Sequence, residues 1–304
     1  MSTYLTILGF NSAIPTINSS PTAQLLEMEE RMFLIDCGEG TQVQLRKAKA
    51  RFSKLNHIFI SHLHGDHCFG LPGLIASFRL LGRTNPLHIY GPKGIKKMLE
   101  TIFTITETYR GFELIYHELD KKVSEKIYED KRVEVFTIPL DHRIYCNGYL
   151  FKEKPKERHL NMHAISQYSE IEICDYQNLR NGKDFVCEDG SVIPNQELTT
   201  DPKASVSYAF CSDTRYKEDI IPLIKHVDVL YHESTFLHEL KEMADYTGHT
   251  TALEAATIAK KAEVSKLIMG HFSNRYDDLT VMTNEARQIF PNSYLPKALE
   301  PIKL

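Results

Sequence analysis

Short apolar runs rich in β-branched and aromatic residues recur along this chain, and longer stretches with helical spacing separate them. The runs predict β-strands, and Gly or Pro marks many of their ends. The predicted strands are residues 3–10, 23–36, 56–60, 87–90, 112–119, 132–140, 205–211, 227–231 and 266–269, and the predicted helices are residues 74–81, 93–103 and 251–262, with another that begins near Lys217. This alternation predicts the α/β class, in an αβ/βα sandwich of two mixed β-sheets with outer helices.

The pattern breaks between residues 152 and 202, where the sequence becomes charged and polar. Asn181-Gly182 and Asp189-Gly190 are turn signals, and few apolar positions recur with the period that a core requires. Residues 165–179 favour helix. A chain of 304 residues could hold one large domain or two. We predict a single domain over residues 1–304, in which residues 152–202 form a protruding arm-like insertion.

Composition places the chain among ordinary globular proteins, with 42% hydrophobic and 25% charged residues. No apolar run approaches the ~20 residues of a membrane span, so we expect no membrane contact. The first residues lack a basic segment and a cleavage motif, and we expect them to begin the first strand. The six cysteines are scattered without a Cys-x-x-Cys pair, which favours reduced thiols and a cytoplasmic location.

The net charge of −4 neither excludes nor supports a nucleic-acid substrate, because the distribution of charge matters more than its sum. Residues 44–54 carry five basic side chains and no acidic one. This run could bind phosphate, or it could be a solvated helix face. The polar loop of residues 11–22 leaves a similar choice between phosphate contact and ordinary turns.

A dense polar cluster, His62-Leu63-His64-Gly65-Asp66-His67, lies between a predicted strand and a predicted helix. Neutral imidazoles and a carboxylate are typical ligands of Zn²⁺ and similar ions. His62 and His64 would point to one side of an extended loop, and Asp66 and His67 would face a second point nearby. The spacing therefore favours two adjacent metal ions. The neighbouring Cys68 is better explained as a packed residue.

Other polar residues follow predicted strands in both halves of the chain: Asp36, His142, Asp213 and His271. Asp36 could hydrogen-bond a ligand histidine or cap the next helix. A lone histidine such as His142 would by itself suggest only a turn. The adjacent Asp141 would point elsewhere in an extended chain and is the weaker donor.

Together these motifs resemble the ribonuclease Z family of the metallo-β-lactamase superfamily. The resemblance extends from Gly9 to Tyr276 except for about residues 150–200, where the Gly/Pro-rich tip of that family's flexible arm is missing. The motifs that carry it are residues 33–42, 62–74, 89–94, 211–215, 232–235, 248–250 and 270–276. The six-residue cluster alone would indicate only the superfamily, and the combination indicates the ribonuclease Z family.

The resemblance implies two metal ions per subunit, which would be Zn²⁺ or other divalent ions. The first would be held by His62, His64, His142 and Asp213, and the second by Asp66, His67, Asp213 and His271. Asp66 would also accept the proton of the attacking water. His249 would be the general acid, held protonated by Glu233, although His249 could instead cap or pack against the helix that follows it.

The function that the resemblance implies is a zinc-dependent endoribonuclease. It would remove the 3′ trailer from precursor tRNA by metal-activated water attack on a phosphodiester. The resemblance also implies a homodimer. One alternative is another hydrolase of this fold that acts on small phosphodiesters, sulfate esters or thioesters, and a second is a metal-holding RNA-binding module without catalysis. The His232-Glu233-Ser234-Thr235-Phe236 segment lacks the second histidine of a zincin, and no Pro-Cys-x-x-Cys indicates a zinc deaminase.

Overall fold

The computed structural model describes residues 3–17, 19–109 and 111–304. Its contacts divide the chain into two units. Unit 1 contains the residues up to Lys152 and from Val206 to Leu304, and unit 2 contains residues 153–205. Among the described residues, none of the helices is long and apolar enough to cross a membrane.

Unit 1 contains two seven-stranded mixed sheets. The first sheet has the order β18-β1-β2-β3-β4-β5-β6, formed by β1 (Tyr4–Gly9), β2 (Ala23–Met28), β3 (Arg31–Ile35), β4 (Leu55–Phe59), β5 (Leu87–Pro92), β6 (Leu114–Leu119) and β18 (Pro301–Lys303). The second has the order β17-β16-β15-β14-β9-β8-β7, formed by β7 (Lys126–Glu129), β8 (Val133–Pro139), β9 (Asn147–Glu153), β14 (Ser207–Cys211), β15 (Val229–Glu233), β16 (Lys266–Gly270) and β17 (Ser293–Tyr294).

The helices of unit 1 lie on the outer faces of these sheets. They are α1 (Thr41–Lys47), α2 (Gly65–Cys68), α3 (Leu71–Leu80), α4 (Ile95–Ile105), α8 (Lys241–Thr247), α9 (Ala252–Lys261) and α10 (Thr280–Arg287), with 3₁₀ turns at Phe52–Lys54, Glu218–Ile220 and His238–Leu240. Between the sheets, aromatic residues of both inner faces form one buried cluster that includes Phe33, Phe59, Tyr149 and Phe210. Separate apolar clusters join each sheet to its helices. The predicted αβ/βα sandwich is confirmed.

Two of the predicted elements are wrong in detail. Residues 23–36 form a hairpin instead of one strand, because Glu29 and Glu30 have φ angles of 47° and 67° and reverse the chain. Near Lys217 only the 3₁₀ turn Glu218–Ile220 forms. Pro222 follows this turn and has no amide hydrogen for a longer helix.

Unit 2 is built from short elements: β10 (His159–Leu160), α5 (Met162–Ile165), α6 (Tyr176–Arg180), β11 (Phe185–Val186), β12 (Val192–Ile193), α7 (Asn195–Leu198) and β13 (Thr199–Thr200), with a 3₁₀ turn at Ile173–Asp175. This unit has a small core of its own, although few of its apolar positions recur with a regular period. Ile165, Ile171, Leu179, Ile193 and Leu198 are each at most 8% exposed and pack together. They lie on separate short turns and strands, so no regular period reveals them in the sequence.

A row of three histidines crosses three neighbouring parallel strands of the first sheet. His57 stacks on His88 with ring centroids 4.9 Å apart, and Nδ1 of His88 lies 3.0 Å from Nε2 of His117. Burial lowers the pKa of His57 to about 4, and the neighbouring His88 and His117 contribute smaller shifts in the same direction. This row lies within β4, β5 and β6, whereas the polar cluster follows the carboxyl end of β4.

Candidate metal centre

The polar residues singled out from the sequence meet at one edge of the two sheets, because each follows the carboxyl end of a strand. Asp36 follows β3, His62 to His67 follow β4, and His142 follows β8. Asp213 follows β14, and His271 follows β16. Loops at strand ends are where rigid folds commonly present reactive groups.

Asp213 occupies the middle of the cluster, and its two carboxylate oxygens face different histidines. Oδ2 lies 3.5 Å from Nε2 of His62 and 3.9 Å from Nε2 of His142. Oδ1 lies 3.3 Å from Nε2 of His67 and 3.3 Å from Nε2 of His271. One buried carboxylate therefore joins two separate groups of donors.

The first group consists of His62, His64, His142 and Asp213, whose donor atoms all lie within 4.8 Å of one another. Nδ1 of His64 is 3.0 Å from Nε2 of His62 and 3.3 Å from Nε2 of His142. These are the four residues that the resemblance implies for the first metal ion.

The second group consists of Asp66, His67 and His271, within the same 4.8 Å limit. Oδ2 of Asp66 lies 3.4 Å from Nε2 of His67 and 3.5 Å from Nε2 of His271. With Oδ1 of Asp213 beside both histidines, these donors reproduce the set implied for the second metal ion.

The donor chemistry fits two cations. Nδ1 of His142 donates to the carbonyl of Gly248 at 2.8 Å, and Nδ1 of His67 donates to Asp36 at 2.7 Å. With those outer nitrogens carrying the protons, the inner Nε2 atoms present lone pairs to each other and to Asp213. Such convergent lone pairs and carboxylates repel one another unless protons or cations lie between them. Metal-ligating histidines are typically oriented in this way, by a hydrogen bond from the ring nitrogen that points away from the metal.

Burial and the neighbouring charges shift the pKa values of these groups. Burial, reinforced by His67, lowers the pKa of His62 well below its ordinary value. Burial would raise the pKa of Asp213, but His271, His67 and His62 hold it well below the usual range. Burial would likewise raise the pKa of Asp66, and its hydrogen bonds with His271 and His67 lower it instead. A neutral His62 and ionised carboxylates are the forms that bind cations.

Asp36 contacts His67, a candidate metal ligand, which is one of the two roles considered for Asp36. Its carboxylate also accepts hydrogen bonds from the backbone N–H of Ser61 at 2.7 Å and from the Ser61 hydroxyl at 2.8 Å. The same hydroxyl lies 3.0 Å from Nδ1 of His62. Ser61 thus connects the supports of two histidines, and its place before the cluster was the only sequence signal for it.

His249 lies beside the second group, with its ring centroid 5.2 Å from that of His271. Its Nδ1 donates to Oε1 of Glu233 at 2.9 Å. Burial would lower the pKa of His249, but the Glu233 carboxylate raises it to about 9. This hydrogen bond supports the hypothesis that Glu233 holds His249 in its protonated form. His249 could also share a cation with Asp213 and His271, since their donor atoms lie within 4.8 Å of one another.

Glu233 is itself completely buried and held by its neighbours. Oε1 accepts from the backbone N–H of Thr214 at 2.8 Å, and Oε2 accepts from the hydroxyl of Thr235 at 2.6 Å. The Thr235 oxygen also lies 3.0 Å from Nδ1 of His271. Sequence reasoning gave Thr235 no role, although it belongs to the same motif as Glu233. It connects the second donor group to the carboxylate that supports His249.

Close backbone contacts explain two glycines of the motifs. A Cβ atom on Gly38 would lie 2.4 Å from the carbonyl oxygen of Asp66, and one on Gly70 would lie 2.1 Å from that of Gly38. Asp36 and His271 have φ angles of 56° and 58°, an unusual conformation for residues other than glycine. Such conformations occur often at functional sites, where the surrounding structure holds them in place.

Asp141 and Cys68 belong to neither donor group, as expected from the sequence. The carboxylate of Asp141 is 54% exposed and lies 3.4 Å from Arg215. Cys68 is buried, and its thiol contacts the carbonyl of His64 at 3.2 Å. The loop of residues 11–22 does approach the centre, because the backbone N–H of Ala13 donates to Oδ2 of Asp66 at 2.9 Å.

The basic run forms an exposed surface on and after α1. Its five cationic residues are all exposed: Arg46, Lys47, Lys49, Arg51 and Lys54. The guanidinium carbon of Arg46 lies 5.4 Å from the ring centroid of Phe52.

Curated relatives align with almost the whole chain. A ribonuclease Z of Bacteroides thetaiotaomicron is 46% identical over 293 residues, which are 96% of this chain and 92% of that protein. A ribonuclease Z of Cytophaga hutchinsonii is 46% identical over 292 residues, which are 96% of this chain and 93% of that protein. The alignments include both halves of the sandwich and the segment between them.

Solved structures and one family model give further matches. The short form of human tRNase Z superposes with a TM-score of 0.72 and 26% identity over 98% of both chains. YhfI of Bacillus subtilis, a metallo-β-lactamase fold protein, gives a TM-score of 0.71 with 17% identity over 100% of both chains. This chain has the same fold. The model of a family described as anti-Pycsar protein Apyc1 matches residues 3–140, less than half of the chain.

Proposed function

This chain belongs to the ribonuclease Z family, and we propose that its His/Asp centre binds two zinc ions per subunit for the cleavage of precursor tRNA. It is an endoribonuclease of tRNA 3′ processing, as its relatives and the human tRNase Z structure indicate. The observation that carries the proposed centre is the division of the Asp213 carboxylate between two groups of donors.

The proposed ligands of the first ion are His62, His64, His142 and Asp213, and those of the second are Asp66, His67, Asp213 and His271. Two ions bound there would supply a water of lowered pKa and positive charge for the phosphate oxygens. Asp213 would hold both ions at a fixed separation. The buried imidazoles would exclude bulk water from them.

Asp66 and His249 would move the protons of the reaction. Hydrolysis forms a bond from the water oxygen to phosphorus and breaks the bond from phosphorus to the 3′ oxygen of the tRNA. Asp66, held in its ionised form and oriented by its contact with Ala13, would accept the proton of the attacking water. His249 would give a proton to the leaving 3′ oxygen, and Glu233 would keep that proton in place until then.

Unit 2 is the proposed arm that binds tRNA. It has its own small core, so it can fold as a compact attachment to the chain. Its exposed surface carries basic side chains next to acidic ones, as in the ion pair of Arg158 with Asp201. Because the proposed metal ligands all lie in unit 1, unit 2 would contribute to the affinity for tRNA and not to the chemistry.

Two further properties complete the proposal. The native enzyme would be a homodimer, and the exposed Leu80, Leu81 and Ile105 at the ends of α3 and α4 would contribute apolar surface to its interface. It would work in the cytoplasm, which agrees with six cysteines that are all free.

Cleavage of a precursor tRNA with a defined 3′ trailer tests the proposal. We expect one cut at the trailer junction, leaving a 3′-hydroxyl on the tRNA and a 5′-phosphate on the trailer. Chelation of divalent ions should abolish the cut, and added Zn²⁺ should restore it. Cleavage of small phosphodiesters or thioesters without cleavage of the tRNA would favour another hydrolase of this fold. Tight tRNA binding without any cleavage would favour a binding module.

A further inference from the structure

The loop that carries His142 lines a cavity of about 560 Å³. Residues 139–147 line it, together with Lys121, Lys122, Lys217 and Asp219. Its volume lies within the usual range for ligand sites. No part of the proposed reaction uses this cavity, although His142 belongs to both its wall and the metal centre.

The lining has more unbalanced positive than negative charge. Lys121 is 2.5 Å from Glu125, and Asp141 is 3.4 Å from Arg215, so these two lining charges have partners. Nζ of Lys217 donates to the carbonyl of Pro139 at 3.1 Å, which leaves its charge uncompensated. Within the described residues, Lys122 and Arg143 have no side-chain hydrogen bond or ion pair. Three uncompensated cations thus face one carboxylate without an ion pair, that of Asp219.

The cavity also offers an aromatic ring and an apolar side chain. Tyr145 is half-buried, and its hydroxyl is fixed by a hydrogen bond to the carbonyl of Lys121 at 2.9 Å. Ile144 beside it is 39% exposed. Cations that follow a phosphate backbone, combined with rings on which bases stack, are typical of sites for single-stranded nucleic acid.

Arg143 extends this surface toward the catalytic centre. A Cβ atom on Gly248 would lie 3.5 Å from Cγ of Arg143, so the stem of Arg143 passes next to the residue before His249. The positive charge of Arg143 also acts on His249, where it offsets part of the rise in pKa that Glu233 causes. A strand of RNA whose phosphate lies at the metal centre could therefore continue along Arg143 into the cavity.

We propose that this cavity binds the single-stranded 3′ trailer of precursor tRNA, through Lys122, Arg143 and Lys217 on its phosphates and Tyr145 against a base. The inference rests on the proposed function and names where the trailer lies. The trailer is the single-stranded part of this substrate beyond the cut. A paired acceptor stem could not present its bases to Tyr145.

Trailer length provides the test. The double variant Lys122→Gln/Lys217→Gln and the wild-type enzyme should be compared on one precursor tRNA with a trailer of one nucleotide or of about ten. In the wild type, the long trailer should lower KM. In the double variant, KM for the long-trailer substrate should rise about tenfold, and the slope of its salt dependence should fall by about two. KM for the short-trailer substrate should change much less.

The matched control is Lys303→Gln, which removes an exposed lysine from the edge strand β18. It should leave both KM values unchanged. An equal rise of KM on both substrates in the double variant would overturn the proposal, because the cavity would then act on the tRNA body or on the fold. Unchanged KM values on both would overturn it too. Failure of the wild type to cleave either substrate would instead contradict the proposed function.

Discussion

Nδ1 of His67 donates a hydrogen bond of 2.7 Å to Oδ2 of Asp36, and both side chains are completely buried. The bond fixes which nitrogen of His67 carries the proton. The other nitrogen, Nε2, then presents its lone pair to Asp213, 3.3 Å away. Asp36 therefore orients His67, a proposed metal ligand, without being a proposed ligand itself.

Replacing this carboxylate with an amide tests that dependence. In Asp36→Asn, the amide nitrogen competes for the position facing His67, and the proton of His67 is then favoured on Nε2, where the metal ion would bind. We expect the affinity for metal to fall about 10–100-fold with little change in the fold. Titration with a competing chelator measures the affinity, and circular dichroism checks the fold.

Asp130→Asn is the matched control, because Asp130 also has a structural role, in contact with Arg31 and Tyr128. This variant should lose some stability and keep the wild-type metal affinity. Wild-type metal affinity in Asp36→Asn would show that the bond to His67 does not prepare the site.

His249→Ala separates proton transfer from metal binding. The variant should keep both metal ions and normal tRNA affinity, while kcat falls by about 10²–10⁴, the usual contribution of a general acid. Single-turnover cleavage and metal analysis on the same preparation measure both properties. His226→Asn removes a histidine whose side chain is 64% exposed and should leave kcat unchanged. Loss of metal in His249→Ala would instead make His249 a ligand, as its distance to Asp213 and His271 also permits.

Removal of unit 2 tests its proposed role in tRNA binding. Replacing residues 154–201 with a short Gly/Ser linker should raise KM for precursor tRNA and flatten its salt dependence, because phosphate contacts are lost. Hydrolysis of bis(p-nitrophenyl) phosphate should persist, since the proposed metal ligands lie in unit 1. Equal loss on both substrates would show that unit 2 supports the fold. Unchanged tRNA kinetics would place the tRNA contacts elsewhere, such as on the basic run after Gln44.

The histidine row predicts how stability depends on pH. The pKa of His57 is about 4 in the folded protein and ~6.5 in an unfolded chain. The unfolded chain therefore takes up a proton first, so the stabilisation from His57 is present above about pH 6.5 and is lost as the pH falls toward 4. His57→Phe should reduce the loss of unfolding free energy between pH 7.5 and pH 5 by about 2 kcal/mol.

Urea unfolding at the two pH values measures this difference. His163→Gln, at an exposed position in unit 2, should leave the difference as it is in the wild type. An undiminished loss in His57→Phe would show that the acid sensitivity arises from other groups.

The sequence predicted the sandwich because its strands carry continuous apolar runs, such as residues 58–60, that need burial on both faces. It also placed each proposed ligand correctly at a strand end, because Asp213 and His271 directly follow such runs. The hairpin at Glu29 and Glu30 was not predictable in this way, since neither residue is typical of positive φ angles.

Contacts between distant parts of the chain could not be predicted from the sequence either. Thr235 meets His271 across 36 positions, and Ser61 meets Asp36 across 25, through hydroxyls that resemble any others in the chain. The core of unit 2 was missed because its apolar residues are spread over short irregular elements. Only the folded chain shows which polar groups become neighbours.

If Asp213 joins two metal sites, as proposed, the metal content per chain should depend on it directly. Purified wild-type protein saturated with Zn²⁺ and freed of excess should hold close to two ions per chain. Asp213→Ala should lose both ions and its cleavage activity, whereas His64→Ala, which removes a donor of the first group alone, should lose mainly one. Full metal content with wild-type cleavage in Asp213→Ala would show that Asp213 does not join the two sites.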